Sequence, residues 1–261
     1  MKILFIGDIV GKGGRKAVTE LAVKLRQEFG CGLVVANGEN MAGGGGINGK
    51  CIRAITPAPM VDVITGGDHF WDRKEFLAEA GDFPQVLRPA NMSPLQPGKG
   101  YGIFTAVGGE EVGVVCLQGR TFLNNQADSP FAAADKIVSE IRHRTSLIIV
   151  DFHAEATSEK LALGRYLDGR VSAVLGTHTH VPTADEQVFP GGTAYQTDVG
   201  MVGARESILG REIEPVVQKF ATGMPARFNV VEKGIRMNAT LLEAESATGK
   251  AISIKRIVRD L

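Results

Sequence analysis

The chain has 261 residues, of which 44% are hydrophobic and 22% charged, a composition that excludes a disordered or fibrous protein and suits one large α/β domain. Its 29 basic residues balance 29 acidic ones, so nothing in the charge favours gripping duplex nucleic acid along the chain, although a small anion can still bind locally. No apolar stretch approaches the ~20 residues of a membrane span, and the N-terminus turns polar too early for a signal peptide.

In chain order, residues 3–6, 33–36, 61–65, 112–117, 147–150 and 171–175 are continuous apolar runs of strand length. Unbroken rather than alternating hydrophobicity predicts strands buried on both faces, as in a helix-covered sheet. Amphipathic helices are predicted over residues 17–29, 131–141 and 159–167, the last entered through Thr157 or Ser158 as N-cap. The β-α alternation implies a layered α/β fold with a largely parallel sheet and helices outside. The last third changes character. Residues 193–197, 227–232, 236–243 and 251–258 read as strands, with a hairpin turn at Glu232-Lys233-Gly234, which predicts antiparallel C-terminal additions to the sheet. A single domain over residues 1–261 is expected, with room for a small cap-like insertion. Cys31, Cys51 and Cys116 are widely spaced and form no CxxC pair. They suit free thiols in a reducing cytoplasm, with Cys116 as core filling.

The chemistry lies at the carboxyl end of each run. Residues 3–6 lead into Gly7-Asp8, 33–36 into Asn37-Gly38-Glu39-Asn40, and 61–65 into Gly66-Gly67-Asp68-His69. Residues 147–150 lead into Asp151-Phe152-His153, and 171–175 into Gly176-Thr177-His178-Thr179-His180. Parallel strands bring their carboxyl ends to one edge, so four of the five histidines are expected there beside several carboxylates. Mixed His and carboxylate ligands suit zinc, manganese or iron, and a carboxylate can bridge two ions. Strand alternation would send His178 and His180 the same way, with Gly176 giving the backbone close approach to the site. His143, at the end of a predicted helix, reads as a surface residue favoured by the helix dipole.

Other motifs carry less. Gly7-Asp8-Ile9-Val10-Gly11-Lys12-Gly13-Gly14 has neither Walker nor GxGxxG spacing and is better read as a ligand followed by a turn into a helix. The glycine run 43–46 is either a lid or a surface loop. Arg120, after a strand, would hold a phosphate or form a structural ion pair.

Together these motifs resemble the calcineurin-like metallophosphoesterases, and more narrowly their YmdB-type bacterial branch of 2′,3′-cyclic nucleotide phosphodiesterases. Leu87-Arg88-Pro89-Ala90-Asn91 and Thr197-Asp198-Val199-Gly200-Met201 extend the match across essentially the whole chain. The resemblance implies two transition-metal ions, iron or manganese. Asp8, Glu39, Asn40 and His180 would surround one; Glu39 would bridge to the other, completed by Asp68, His153 and His178. His69 would be the proton donor. The wider superfamily has Asp-x-His after its first strand where this chain has Asp8-Ile9-Val10, and Asn40 would fill that place. The branch usually carries Asn where this chain has Asp68.

The function expected from the resemblance is hydrolysis of phosphate diesters, 2′,3′-cyclic nucleotides in particular. Water activated between two metals attacks phosphorus while His69 protonates the departing oxygen. A nucleotide-binding scaffold with little turnover and a broad phosphomonoesterase are the rival readings. A small phosphate ester is the expected partner, no membrane is, and a homo-oligomer is compatible with the sequence.

Overall fold

Alternate residues along the first strand face two different hydrophobic cores, Ile3 and Phe5 one way, Leu4 and Ile6 the other. The computed structural model describes residues 1–57, 59–123 and 126–261. The first part comprises β1 (Lys2–Ile6), β2 (Asp8–Ile9), α1 (Gly11–Phe29), β3 (Leu33–Asn37), α2 (Gly49–Ile55), β4 (Val63–Thr65), α3 (Phe76–Glu79) and β5 (Val86–Leu87). Next come β6 (Tyr101–Thr105), β7 (Glu111–Gln118), α4 (Pro130–Ile141), β8 (Ile148–His153), α5 (Thr157–Tyr166) and β9 (Ala173–Thr177). The last part holds β10 (Gln187–Val188), β11 (Ala194–Gln196), β12 (Met201–Ala204), α6 (Ile213–Thr222), β13 (Ile235–Ala244) and β14 (Ala251–Asp260).

The strands form two sheets. One runs β2-β12-β13-β1-β3-β4-β5 with β14 added against β13; the other runs β10-β11-β9-β8-β7-β6. Within them β1, β3, β4 and β5 are parallel, as are β7, β8, β9 and β11. The antiparallel C-terminal strands appear as expected, β13 pairing with β1, β12 and β14.

The sheets pack face to face. Ile3, Phe5, Leu33 and Val35 share one core with Val114, Cys116, Ile149 and Leu175. On its outer face the first sheet sets Leu4, Val34 and Ala36 against Val18, Leu21 and Leu25 of α1. The second sets Val115, Ile148 and Val150 against Ala134, Ile137 and Val138 of α4. Full burial of such side chains contributes about 1.5–3 kcal/mol each. The central strands are thus buried on both faces, but helices cover only one; the other sheet covers the second.

Three local expectations are corrected. Helix α5 begins at Thr157, so Thr157 and Ser158 lie inside it; the cap position is Ala156, which has no side-chain acceptor to offer. Residues 227–232 make only the isolated bridge Arg211–Val230 instead of a strand, because the segment runs beside residues 210–212, with Val231 N bonded to Gly210 O at 2.9 Å. The hairpin consequently turns between β13 and β14, not at Glu232-Lys233-Gly234. Helix α6, in this region, has the apolar spacing Ile213, Val216, Val217, Phe220 that marks a helix.

Candidate metal centre

Both sheets deliver residues to one place. Asp8 follows β1, Glu39 and Asn40 follow β3, and Asp68 and His69 follow β4; His153 ends β8, and His178 and His180 follow β9. The carboxyl ends of the two stacked sheets therefore coincide, where a single sheet edge was expected.

Glu39, Asp68, His153 and His178 each offer one ligand atom, all within 4.8 Å of one another. His153 Nε2 lies 3.0 Å from Glu39 Oε1 and 3.0 Å from Asp68 Oδ1. His178 Nδ1 lies 3.0 Å from His153 Nε2 and 3.3 Å from Asp68 Oδ1. Beside this group stand Asp8, Asn40 and His180. Asn40 Nδ2 donates to Glu39 Oε1 at 3.1 Å and is 3.2 Å from His180 Nε2, which is 3.9 Å from Asp8 Oδ1. That Asp8 oxygen is fully buried and has no hydrogen-bond partner among the described residues. Gly67 is required here, since a Cβ on it would stand 2.2 Å from both Glu39 Oε2 and the His153 ring.

The three imidazoles share one arrangement: the nitrogen facing away from the cluster meets an acceptor. His153 Nδ1 bonds Thr177 Oγ1 at 2.9 Å, and that hydroxyl donates to Asp151 Oδ1 at 2.7 Å, so it must accept from the ring. Asp151 is itself held by Asn37 Nδ2 at 3.0 Å and by Thr65 Oγ1. His178 Nε2 lies 3.1 Å from Glu155 Oε2, and His180 Nδ1 3.4 Å from Leu209 O. Each outer nitrogen thus donates away from the cluster, and each inner one faces the carboxylates. Burial acts against a charged His153 ring, but Glu39, Asp68 and Asp8 outweigh it and raise its pKa well above the ordinary value. Thr177, Asp151 and Glu155 were not singled out from sequence as supporting groups, although all three flank predicted ligands.

The electrostatics favour a cation. Burial raises the Asp8 carboxyl well above the usual range; His153 opposes this, while Asp198, Glu39 and Asp151 reinforce it. Burial also acts to raise Glu39 and Asp68, but their histidine neighbours outweigh it and hold both carboxyls below the usual range. Burial pushes His180 down to about 4, so its ring is neutral near pH 7. Three carboxyl groups facing three imidazole nitrogens, one carboxylate oxygen orphaned, form a donor set that metal ions fit.

His69 is placed differently, with its side chain 45% exposed at the rim. Its backbone N donates to Glu39 Oε2 at 3.2 Å, and its Nδ1 is 2.8 Å from Asp72 Oδ2. Burial acts against the charged ring, but Glu39, Asp68 and Asp72 together raise its pKa above the ordinary value. Asp72 was missed in the sequence, where only its i+3 spacing from His69 signalled it.

His178 and His180 point into one cavity, but not through strand alternation. β9 ends at Thr177, and both histidines adopt left-handed backbone, with φ of 101° and 66°. Gly176 makes room for Thr197 O, which a Cβ would approach to 1.8 Å, rather than for the site itself. The glycine run 43–46 is pinned: Arg73 Nε donates to Gly45 O at 2.9 Å, and Arg211 donates to Gly44 O. Arg120 lines a separate polar cavity with Asn91, Ser93 and Asp128, and His143 is exposed beyond α4.

Above the cluster opens a cavity of about 420 Å³. Glu39, Asn40, His69, His178 and His180 line it on the cluster side, and Leu209, Val216, Phe220 and Phe228 on the other.

The family model described as YmdB-like protein matches residues 4–257. A 2′,3′-cyclic-nucleotide 2′-phosphodiesterase of Bacillus subtilis (strain 168) is 46% identical over 258 residues, 99% of this chain and 97% of that protein. A crystal structure of a protein from Thermus thermophilus superposes with a TM-score of 0.91 at 43% identity, covering 100% of this chain and 99% of that one. The crystal structure of a novel phosphatase from Mycoplasma pneumoniae gives 0.92 at 33% identity, covering 100% and 93%.

Proposed function

This chain belongs to the YmdB-like family, and from that premise we propose that it is a metal-dependent phosphodiesterase acting on 2′,3′-cyclic nucleotides. The observation that carries the reading is the convergence of three imidazole nitrogens with Asp8, Glu39 and Asp68 beneath one cavity. Asp8, Glu39, Asn40 and His180 would hold one ion, and Glu39, Asp68, His153 and His178 a second, iron or manganese suiting these donors. When bound, such ions supply activation of water and compensation of phosphoryl charge.

The residues of the chain do the rest. The chains from Thr177 through Asp151 and from Glu155 orient the rings of His153 and His178 before substrate arrives. His69 lies outside the ligand set; Glu39, Asp68 and Asp72 favour its charged ring, and Asp72 on Nδ1 orients it so that Nε2 is the proton-bearing nitrogen free to donate. From the rim it gives that proton to the departing ribose oxygen. Both sheets serve this one site, which supports the 261 residues acting as one catalytic domain. Its three free, buried cysteines suit work in the cytoplasm; burial pushes the Cys31 thiol up to about 11. No helix among the described residues is long and apolar enough to cross a membrane.

The test is a panel of 2′,3′-cyclic AMP, 3′-AMP and p-nitrophenyl phosphate with manganese- or iron-loaded protein. Turnover of the cyclic diester well above that of both monoesters is expected. Monoester turnover alone, or binding with no turnover, would overturn the reading.

A further inference from the structure

The wall of the cavity facing the metal group is apolar, although the centre beneath it is among the most polar places in the molecule. Phe220, in the last turn of α6, lines the cavity with 83% of its surface exposed. Phe228 is half-buried beside it, with Lys219 Nζ 5.1 Å from its ring centroid. Leu209 lines the same wall, and its backbone is in the left-handed region at φ 52°. A bulky residue held there is strained, and such strain gathers at functional sites. Here the strained residue presents its carbonyl to His180 Nδ1, so wall and cluster meet in one residue.

The wall is also fixed. Glu212 N bonds Asn229 O at 3.1 Å, and Arg211 donates to both Gly44 O and Phe228 O. Those bonds engage the guanidinium of Arg211, while Thr179 Oγ1 is bonded to Asp198 Oδ2 at 2.8 Å. The apolar side therefore offers faces for contact but few groups to read the edge of a heterocycle. A cavity of about 420 Å³ lies within the ~300–1,000 Å³ usual for small ligands.

We propose that Phe220, Phe228 and Leu209 form a platform on which the nucleobase of the substrate stacks, so that the enzyme holds the base by its faces and accepts all four. The proposal rests on the cyclic-nucleotide reading of the same site and adds to it where the base lies. Stacking is tolerant because every base has a π-face, and it favours the larger purines. The four 2′,3′-cyclic nucleotides should accordingly share similar kcat, with lower KM for adenine and guanine.

The test compares 2′,3′-cyclic AMP with glycerol 1,2-cyclic phosphate, which keeps the cyclic diester and lacks the base. The Phe220→Ala/Phe228→Ala double variant should raise KM for 2′,3′-cyclic AMP by about 5- to 100-fold, the range a lost aromatic stack gives. Its kcat/KM for glycerol cyclic phosphate should change far less. Phe220→Trp, with a broader face at an exposed position, should lower KM for the nucleotide. Ile252→Ala, exposed on β14, is the control and should alter neither substrate. An unchanged KM for 2′,3′-cyclic AMP would overturn the platform, as would equal losses on both substrates at native metal content. A change in sedimentation mass with KM untouched would make the wall a subunit contact instead. If the wild-type protein turned over neither compound, the diesterase reading would fail and the platform with it.

Discussion

Lys160 and Asp198 form a fully buried ion pair, Nζ to Oδ2 2.8 Å, directly behind the turn that carries His178 and His180. Lys160 Nζ also donates to Thr177 O at 2.8 Å, and Asp198 Oδ2 accepts from Thr179 N at 3.0 Å. Asp198 Oδ1 accepts from Gly200 N at 2.8 Å. Two left-handed histidines in three residues are unfavourable on their own, by about 1–2 kcal/mol each. The pair and its backbone bonds hold them in place.

Lys160→Met removes one partner and leaves Asp198 buried without its counter-charge. A loss of about 3–5 kcal/mol is expected, together with reduced metal retention. Urea unfolding and elemental analysis of the same preparation measure the two effects. Wild-type stability in this variant would show that the pair does not hold the turn.

Glu39 lies between the two halves of the cluster, so Glu39→Gln should lose both metal and activity. Asp68 contributes a carboxylate oxygen at 3.0 Å from His153 Nε2, and Asp68→Asn should bind the second ion more weakly while retaining the first. Metal titration of the apo-proteins distinguishes them. Full native metal content in Glu39→Gln would remove it from the bridging position.

For His69, the expectation is a role in chemistry without one in metal binding. His69→Ala should slow hydrolysis of poor leaving groups by about 10²–10⁴-fold and an activated aryl diester much less, with metal content intact. Asp72→Asn should weaken the same step partially and move the basic limb of the pH–rate profile to lower pH, because one group raising the His69 pKa is gone. His143→Ala serves as control. Equal losses on both kinds of leaving group would argue against proton donation.

A fourth prediction concerns stability and pH. Asp185 accepts from Thr183 Oγ1 at 2.6 Å, from Thr197 N at 3.1 Å and from Thr197 Oγ1. Burial acts to raise its carboxyl, but these bonds outweigh it and hold the carboxyl below the ordinary value. A carboxyl depressed in the fold stabilises the protein above its unfolded pKa of roughly 3.9, and this is lost as pH falls through the lower folded value. Asp185→Asn should therefore cost about 1–2 kcal/mol at pH 7, a figure reduced for partial exposure. The gap from wild type should close below about pH 4. Denaturant unfolding at pH 7 and pH 3 decides it; a gap of constant size would contradict the account.

Asp8, Glu39, Asp68, His153, His178 and His180 are legible from local pattern, because each lies within a few residues after a continuous apolar run, whereas Asn40 as a ligand rests on the family resemblance. A strand is a local object and parallel strands put their carboxyl ends together, so the runs point to a shared edge, but only the stacking of two sheets joins those ends into one cluster. Asp72 and helix α6 also carried local signals, an i+3 neighbour of a histidine and an i, i+3, i+4, i+7 apolar pattern, and were missed beside stronger ones. Other features had no local signal. Lys160 and Asp198 are 38 residues apart, and a buried lysine is rare enough that only its partner makes it comprehensible. The left-handed turn at His178 and His180 is bonded to that pair through Thr177 O and Thr179, contacts that nothing in the local sequence announces. Likewise, the run through Ile3, Leu4, Phe5 and Ile6 declared a strand buried on both faces but could not say what covered each face. Burial is set by a residue's own hydrophobicity, whereas the choice of partner depends on which distant surface fits it, and here a second sheet took the place expected for a helix.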